Sequence, residues 1–159
     1  MKTISIACAL FLCLLAGCAT DKNSEGNNRG HAQKIEKTDD FKIKAAVYGY
    51  LLQQHFLNGG GYTAIFLEGS DAEVAALIRK FPDHVPPLKP SDRAQIRPHQ
   101  TPLDKDTGKP AIVLSAKALD PTNGASEAIG TWYGGEAVSG LYAFVLVKGH
   151  GEWTIQSAR

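Results

Sequence analysis

Beyond residue 18 the chain contains no cysteine; Cys8, Cys13 and Cys18 are the only three among 159 residues. A disulfide framework and a cysteine-ligated zinc site are therefore excluded from the body of the chain, which must fold by burial alone. No charge of one sign prevails, with 17 Lys and Arg against 16 Asp and Glu. Residues 1–17 carry only Lys2, so without them the balance is 16 against 16. Such a balance supplies no broad field to draw in nucleic acid or anionic lipid, and no nucleic-acid partner is expected. Heptads and repeats are missing, which argues against a spacer built from them. No apolar run is long enough for a permanent span of about 30 Å of hydrocarbon. Gly59-Gly60-Gly61 is not followed by the lysine and hydroxyl residue of a phosphate loop, and no cofactor is expected.

The longest apolar run is Ile4–Ala16, preceded by Lys2. A short basic start and an apolar stretch of this length fit a secretory signal. The run ends in Leu15-Ala16-Gly17-Cys18, small residues directly before a cysteine. This tetrad resembles the lipobox of bacterial lipoprotein precursors. The resemblance implies cleavage after residue 17, a lipid on Cys18 and attachment to a membrane; Ala19 then implies export to the outer membrane, facing the periplasm. One acyl chain holds a protein only marginally, at about 0.8 kcal/mol per buried methylene, and further chains make attachment stable. Residues 19–38 have Ile35 as their one strongly apolar side chain and are expected to form a disordered tether. As a flexible coil it reaches roughly 25 Å. His31 within it is read as solvated.

Residues 39–159 are expected to be one domain, and roughly 120 residues can bury about two thirds of their unfolded surface. Phe41, Ala45, Tyr48, Leu52 and Phe56 recur at helical spacing, with Val47 and Leu51 beside them, so a helix capped by Asp39 or Asp40 should run to about Leu57. The glycines after Asn58 would stop it. Residues 62–68 read as a strand apolar on both faces. Ser70 and Glu73 form a capping box for a second helix, whose stripe is Val74, Leu77, Ile78 and Phe81 and which Pro82 ends.

Seven of the eight prolines fall in residues 82–110, a stretch without periodicity that is either a functional loop or an extended strap. Asp104, Asp106 and Gly108 begin like a calcium loop, but Gly108 stands one place early and Ser115 occupies the glutamate position. A turn is expected there, and His84 and His99 are expected at the surface; no metal is called for. Residues 111–119, 127–133, 141–148 and 152–157 read as a strand meander with turns at Asp120–Gly124 and Gly149-His150-Gly151. In the third of these strands Leu141, Ala143, Val145 and Val147 face one way, and Tyr142, Phe144 and Leu146 the other. The fold class expected is α+β: an antiparallel sheet of four to five strands with two helices packed on one face.

Gly130-Thr-Trp132-Tyr133-Gly134-Gly135, Ser139-Gly140-Leu-Tyr142-Ala-Phe144 and Gly151-Glu-Trp153, with Phe81, Pro86-Pro87-Leu-Lys89 and Ser91-Asp92 upstream, resemble a family of small uncharacterised exported bacterial proteins. The likeness spans roughly residues 41–157 and rests on glycines and aromatics, which specify a fold and carry no catalytic role. The helix-then-sheet order also has something of the nuclear-transport-factor-like and cystatin-like cones, at fold level alone. The function expected is a non-enzymatic binding module for an envelope protein or a small ligand. Trp132, Tyr133, Glu136 and Tyr142 form the candidate surface, since aromatics often anchor interfaces. The alternatives are a small enzyme with a cone-shaped pocket, using His55 or Glu68, and a structural envelope lipoprotein.

Overall fold

A computed structural model describes residues 34–56 and 61–159, apart from the side chain of His55. The expected signal peptide, Cys18, His31 and the glycines Gly59 and Gly60 lie outside the described residues.

Helix α1 spans Asp39–His55 and is closed by Phe56, whose amide donates to Leu52 O. Its cap is Thr38 rather than either aspartate. A cap needs an extended backbone and an oxygen within reach of a free amide three residues on. Thr38 has φ −78 and ψ 147, and its hydroxyl accepts from the Phe41 amide at 3.2 Å. Asp39 and Asp40 then occupy the first turn, where negative charge is favourable. Ile35 packs against the core and Glu36 meets Arg79 at 2.7 Å, so the last residues assigned to the tether belong with the folded part. Helix α2 spans Asp71–Lys80 and starts with the expected capping box: the Ser70 amide donates to Glu73 Oε2 at 3.0 Å, and the Glu73 amide donates to Ser70 Oγ.

The strands are β1 (Ile65–Leu67), β2 (Leu88–Pro90), β3 (Ala94–Gln95), β4 (Leu103–Asp104), β5 (Ile112–Ala118), β6 (Ala125–Tyr133), β7 (Ser139–Gly149) and β8 (Glu152–Ala158). The α+β class holds, with both helices on one face, but the sheet is larger than expected and mixed. Its order is β2-β1-β5-β6-β7-β8, with β3 and β4 forming a small separate pair. The meander from β5 to β8 is antiparallel; β1 is parallel to both β2 and β5. Parallel neighbours need long crossovers. Helix α2 supplies one, and residues 91–111 supply the other. Strand β2 was hidden in the proline-rich stretch because it is short and ends on Pro90, which an edge strand tolerates.

Two cores follow. On one face, α1 and α2 cover Ile65, Leu67, Ile112, Leu114, Phe144 and Leu146. Full burial of side chains of this size stabilises the fold by about 1.5–3 kcal/mol each. On the other face the proline-rich segment is a strap, as one of the two readings required: Ala94 joins Ala64, Phe66, Ala111 and Val113 in a smaller cluster. The turns come as expected. Asn123 and Gly124, and again His150 and Gly151, have positive φ, which a two-residue type I′ hairpin requires.

Candidate functional site

Residues 132 and 133 are neighbours on β6 and so point to opposite faces. Trp132 lies opposite Leu114, on the helix side, and Tyr133 opposite Val113, on the strap side. The Trp132 indole lies over Gly140, its partner on β7, and its ring centroid is 5.3 Å from that of Tyr142. Tyr142 and Phe144 in turn meet Tyr50 of α1 edge-on at 5.8 and 5.2 Å. Trp132 and Tyr142 are thus half-buried against the main core. Tyr133 donates its hydroxyl to Gln100 O at 3.1 Å, and Glu136 approaches His99 at 3.5 Å. The four candidate residues are divided between the two sides of the sheet, two serving the helix packing and two the seam with the strap.

A different surface emerges from the β6–β7 register. The pairs Glu127–Val145, Ile129–Ala143 and Thr131–Leu141 alternate with the helix-side pairs and point away from the helices. Among the described residues, no side chain that β6 or β7 presents on that face belongs to either buried cluster. Leu141 is 57% exposed and Val138, in the β6–β7 connection, 42%. Ile129, Val145 and Val147 are half-buried beside them, and Lys117 and Glu127 are exposed at the margin. The strap shields the β1–β5 part of this face and reaches β6 only at its carboxy end, where Gln100 meets Tyr133. The alternation in β7 was legible in the sequence; which of its two faces stays open was not, because the strap and the helices come from distant segments.

A cleft of about 440 Å³ opens outside the helix–sheet interface, at the amino end of α1. Phe41, Ala45, Ala76 and Trp153 give it apolar walls, and the ion pairs Lys42–Glu152 (3.3 Å) and Arg79–Glu36 (2.7 Å) stand on its rim. Its size is within the range of small-molecule sites.

The perturbed carboxyl groups are paired ones. Hydrogen bonds from Lys148 at 2.8 Å and from the Trp153 indole at 3.0 Å hold the Asp39 carboxyl below its ordinary value. Burial pushes the Glu73 carboxyl up, but Lys44 and Ser70 outweigh it and the net direction is down. Asp104 is alike: burial raises it, and Lys89 at 2.9 Å, the Asp106 amide and the Thr107 hydroxyl together lower it. Burial drives the Tyr48 phenol well upward; its hydroxyl donates to Glu68 O at 2.7 Å. The Glu68 side chain itself is exposed, and the side chain of His55 is outside the described residues. His84 sets Nδ1 3.0 Å from Pro86 O; a carbonyl only accepts, so Nδ1 carries the proton and Nε2 is buried without a partner. Among the described residues no group of three His, Cys, Asp or Glu converges as a metal site.

The Asp104 lock and the Trp153-walled cleft were not foreseen. Asp104 gave a faint signal in its calcium-loop-like surroundings; the cleft gave none. No protein-family model, no curated protein and no solved structure matches the chain.

Proposed function

We propose that this chain is a lipid-anchored protein of the bacterial envelope, held to the outer membrane through Cys18, which docks another envelope protein without catalysing a reaction. The address rests on Leu15-Ala16-Gly17-Cys18. Docking rests on one observation, the uncovered aliphatic face of β6 and β7, on which Leu141, near the β6–β7 connection, is 57% exposed. Exposed apolar surface of this kind, rimmed by polar residues, marks interaction sites. The docking centre therefore moves from Trp132 to Leu141. A small ligand is a second reading, favoured by the cleft beside Trp153.

Cross-linking in intact cells followed by membrane isolation tests the docking. The wild-type chain should give a discrete adduct, and Leu141→Lys should lose it while melting within about 2 °C of wild type, since an exposed substitution changes stability by about 0.5 kcal/mol or less. An adduct that survives Leu141→Lys unchanged removes this face from the interaction.

A further inference from the structure

The two edges of the sheet are finished differently. Strand β2 is three residues long, carries Lys89 and ends on Pro90, all of which discourage further pairing. Strand β8 is seven residues long and has no proline, and the ladder continues through Arg159, which exchanges both backbone bonds with Ala143. Among the described residues nothing pairs with its outer side.

We propose that the outer edge of β8 binds the β8 of a second copy of this chain, antiparallel, about a two-fold axis normal to the sheet. Such an isologous contact places the same strand against itself, and directly opposed residues must then point to the same face. In a regular strand, two residues an odd number of places apart point to opposite faces. Strand β8 is not regular. Its ladder with β7 slips between Val145 and Leu146: Leu146 faces Ile155 and Val145 faces Ser157, leaving Gln156 as an extra residue. The slip puts Trp153, Ile155 and Ala158 on the helix side and Thr154 and Ser157 on the other.

Of the registers that then match faces, one pairs the strand over its full length. It sets Glu152 against Arg159, Trp153 against Ala158 and Thr154 against Ser157, with Ile155 and Gln156 at the axis. Each pair is complementary: opposite charges at both ends, the largest side chain against a small one, and two hydroxyls. Glu152 already meets Lys42 at 3.3 Å, but its side chain is 70% exposed, which leaves its carboxylate open to a second cation. The joined sheet keeps the helices of both copies on one side and places the two open aliphatic faces side by side on the other.

Sedimentation equilibrium of the whole chain in density-matched detergent tests the proposal. The wild type should sediment as a dimer at micromolar concentration. Arg159→Glu sets like charges against each other at both ends and should weaken the dimer roughly tenfold, the size expected for two exposed ion pairs. Glu152→Arg combined with Arg159→Glu should restore it. A monomeric wild type, an Arg159→Glu variant that dimerises as the wild type does, or a double variant that stays weak would each overturn the pairing. Leu141→Lys should leave the dimer intact, so loss of the docking face and loss of the dimer are read separately.

Discussion

Gly130 stands on β6 opposite Ala116 and Tyr142, beneath α1. A Cβ added there would lie 2.7 Å from Val47 Cγ1 and 2.9 Å from Phe144 Cε2. A strand glycine elsewhere is improved by alanine; here the methyl group has no room, and overpacking costs about 1–3 kcal/mol. Gly130→Ala should therefore lower the urea midpoint with an unchanged slope, whereas Gly149→Ala, whose added carbon meets no atom within 4 Å, should raise it slightly. At this scale the sequence displayed the pattern of glycines and aromatics around 130–144 without its reason. The reason is spatial: Gly130 admits α1 and Gly140 makes room for the Trp132 indole. The same geometry draws Trp132 and Tyr142 into the packing and leaves Leu141 between them in chain order but on the open face.

Among the elements, α2 and the four-stranded meander were readable because each is specified by near neighbours: a capping box, an apolar stripe, alternation and two positive-φ turns. The strap was not, since its tie to the sheet is long-range. Lys89 of β2 reaches Asp104 of β4, whose side chain is 2% exposed, and Asp106, at 2.9 and 3.1 Å. Because the folded state holds the Asp104 carboxyl below its ordinary value of 3.8, it binds that proton less readily than the unfolded chain does. The contribution is complete above that value and is lost as pH falls through the lowered one. Asp39 and Glu73 act in the same direction. Asp104→Asn should lower the urea midpoint at pH 7, narrow the gap between the stabilities at pH 7 and pH 3, and speed hydrogen exchange at the Asp106 and Gly108 amides; an unchanged gap would show that the Lys89 tie does not govern the strap.

For the whole molecule the address and the domain are separable. The described part holds no helix long and apolar enough to cross a membrane. The proposed membrane attachment rests on the tetrad ending at Cys18. Cys18→Ser should abolish cleavage before residue 18 and acylation, both read by mass spectrometry of the amino terminus, while the circular dichroism of the folded domain stays the same. Retention of acyl chains on that variant would place the anchor elsewhere. Under the proposed lipid anchor, the balanced charge should leave membrane association little changed by salt, since acyl burial is not screened as a basic patch would be.

What the sequence determined by itself is what short-range physics controls: two helices with their stripes, the hairpins and their turns, a body without cysteine beyond residue 18, and the tetrad ending at Cys18. Tertiary structure alone decided that β1 runs parallel to its neighbours, that Asp104 is buried under an ion pair, that Trp132 and Tyr133 part to opposite sides, and that one half of one sheet face stays bare. Each of these depends on where a segment tens of residues away comes to rest, and the periodicity of a strand records that it has two faces without recording which one another segment will cover.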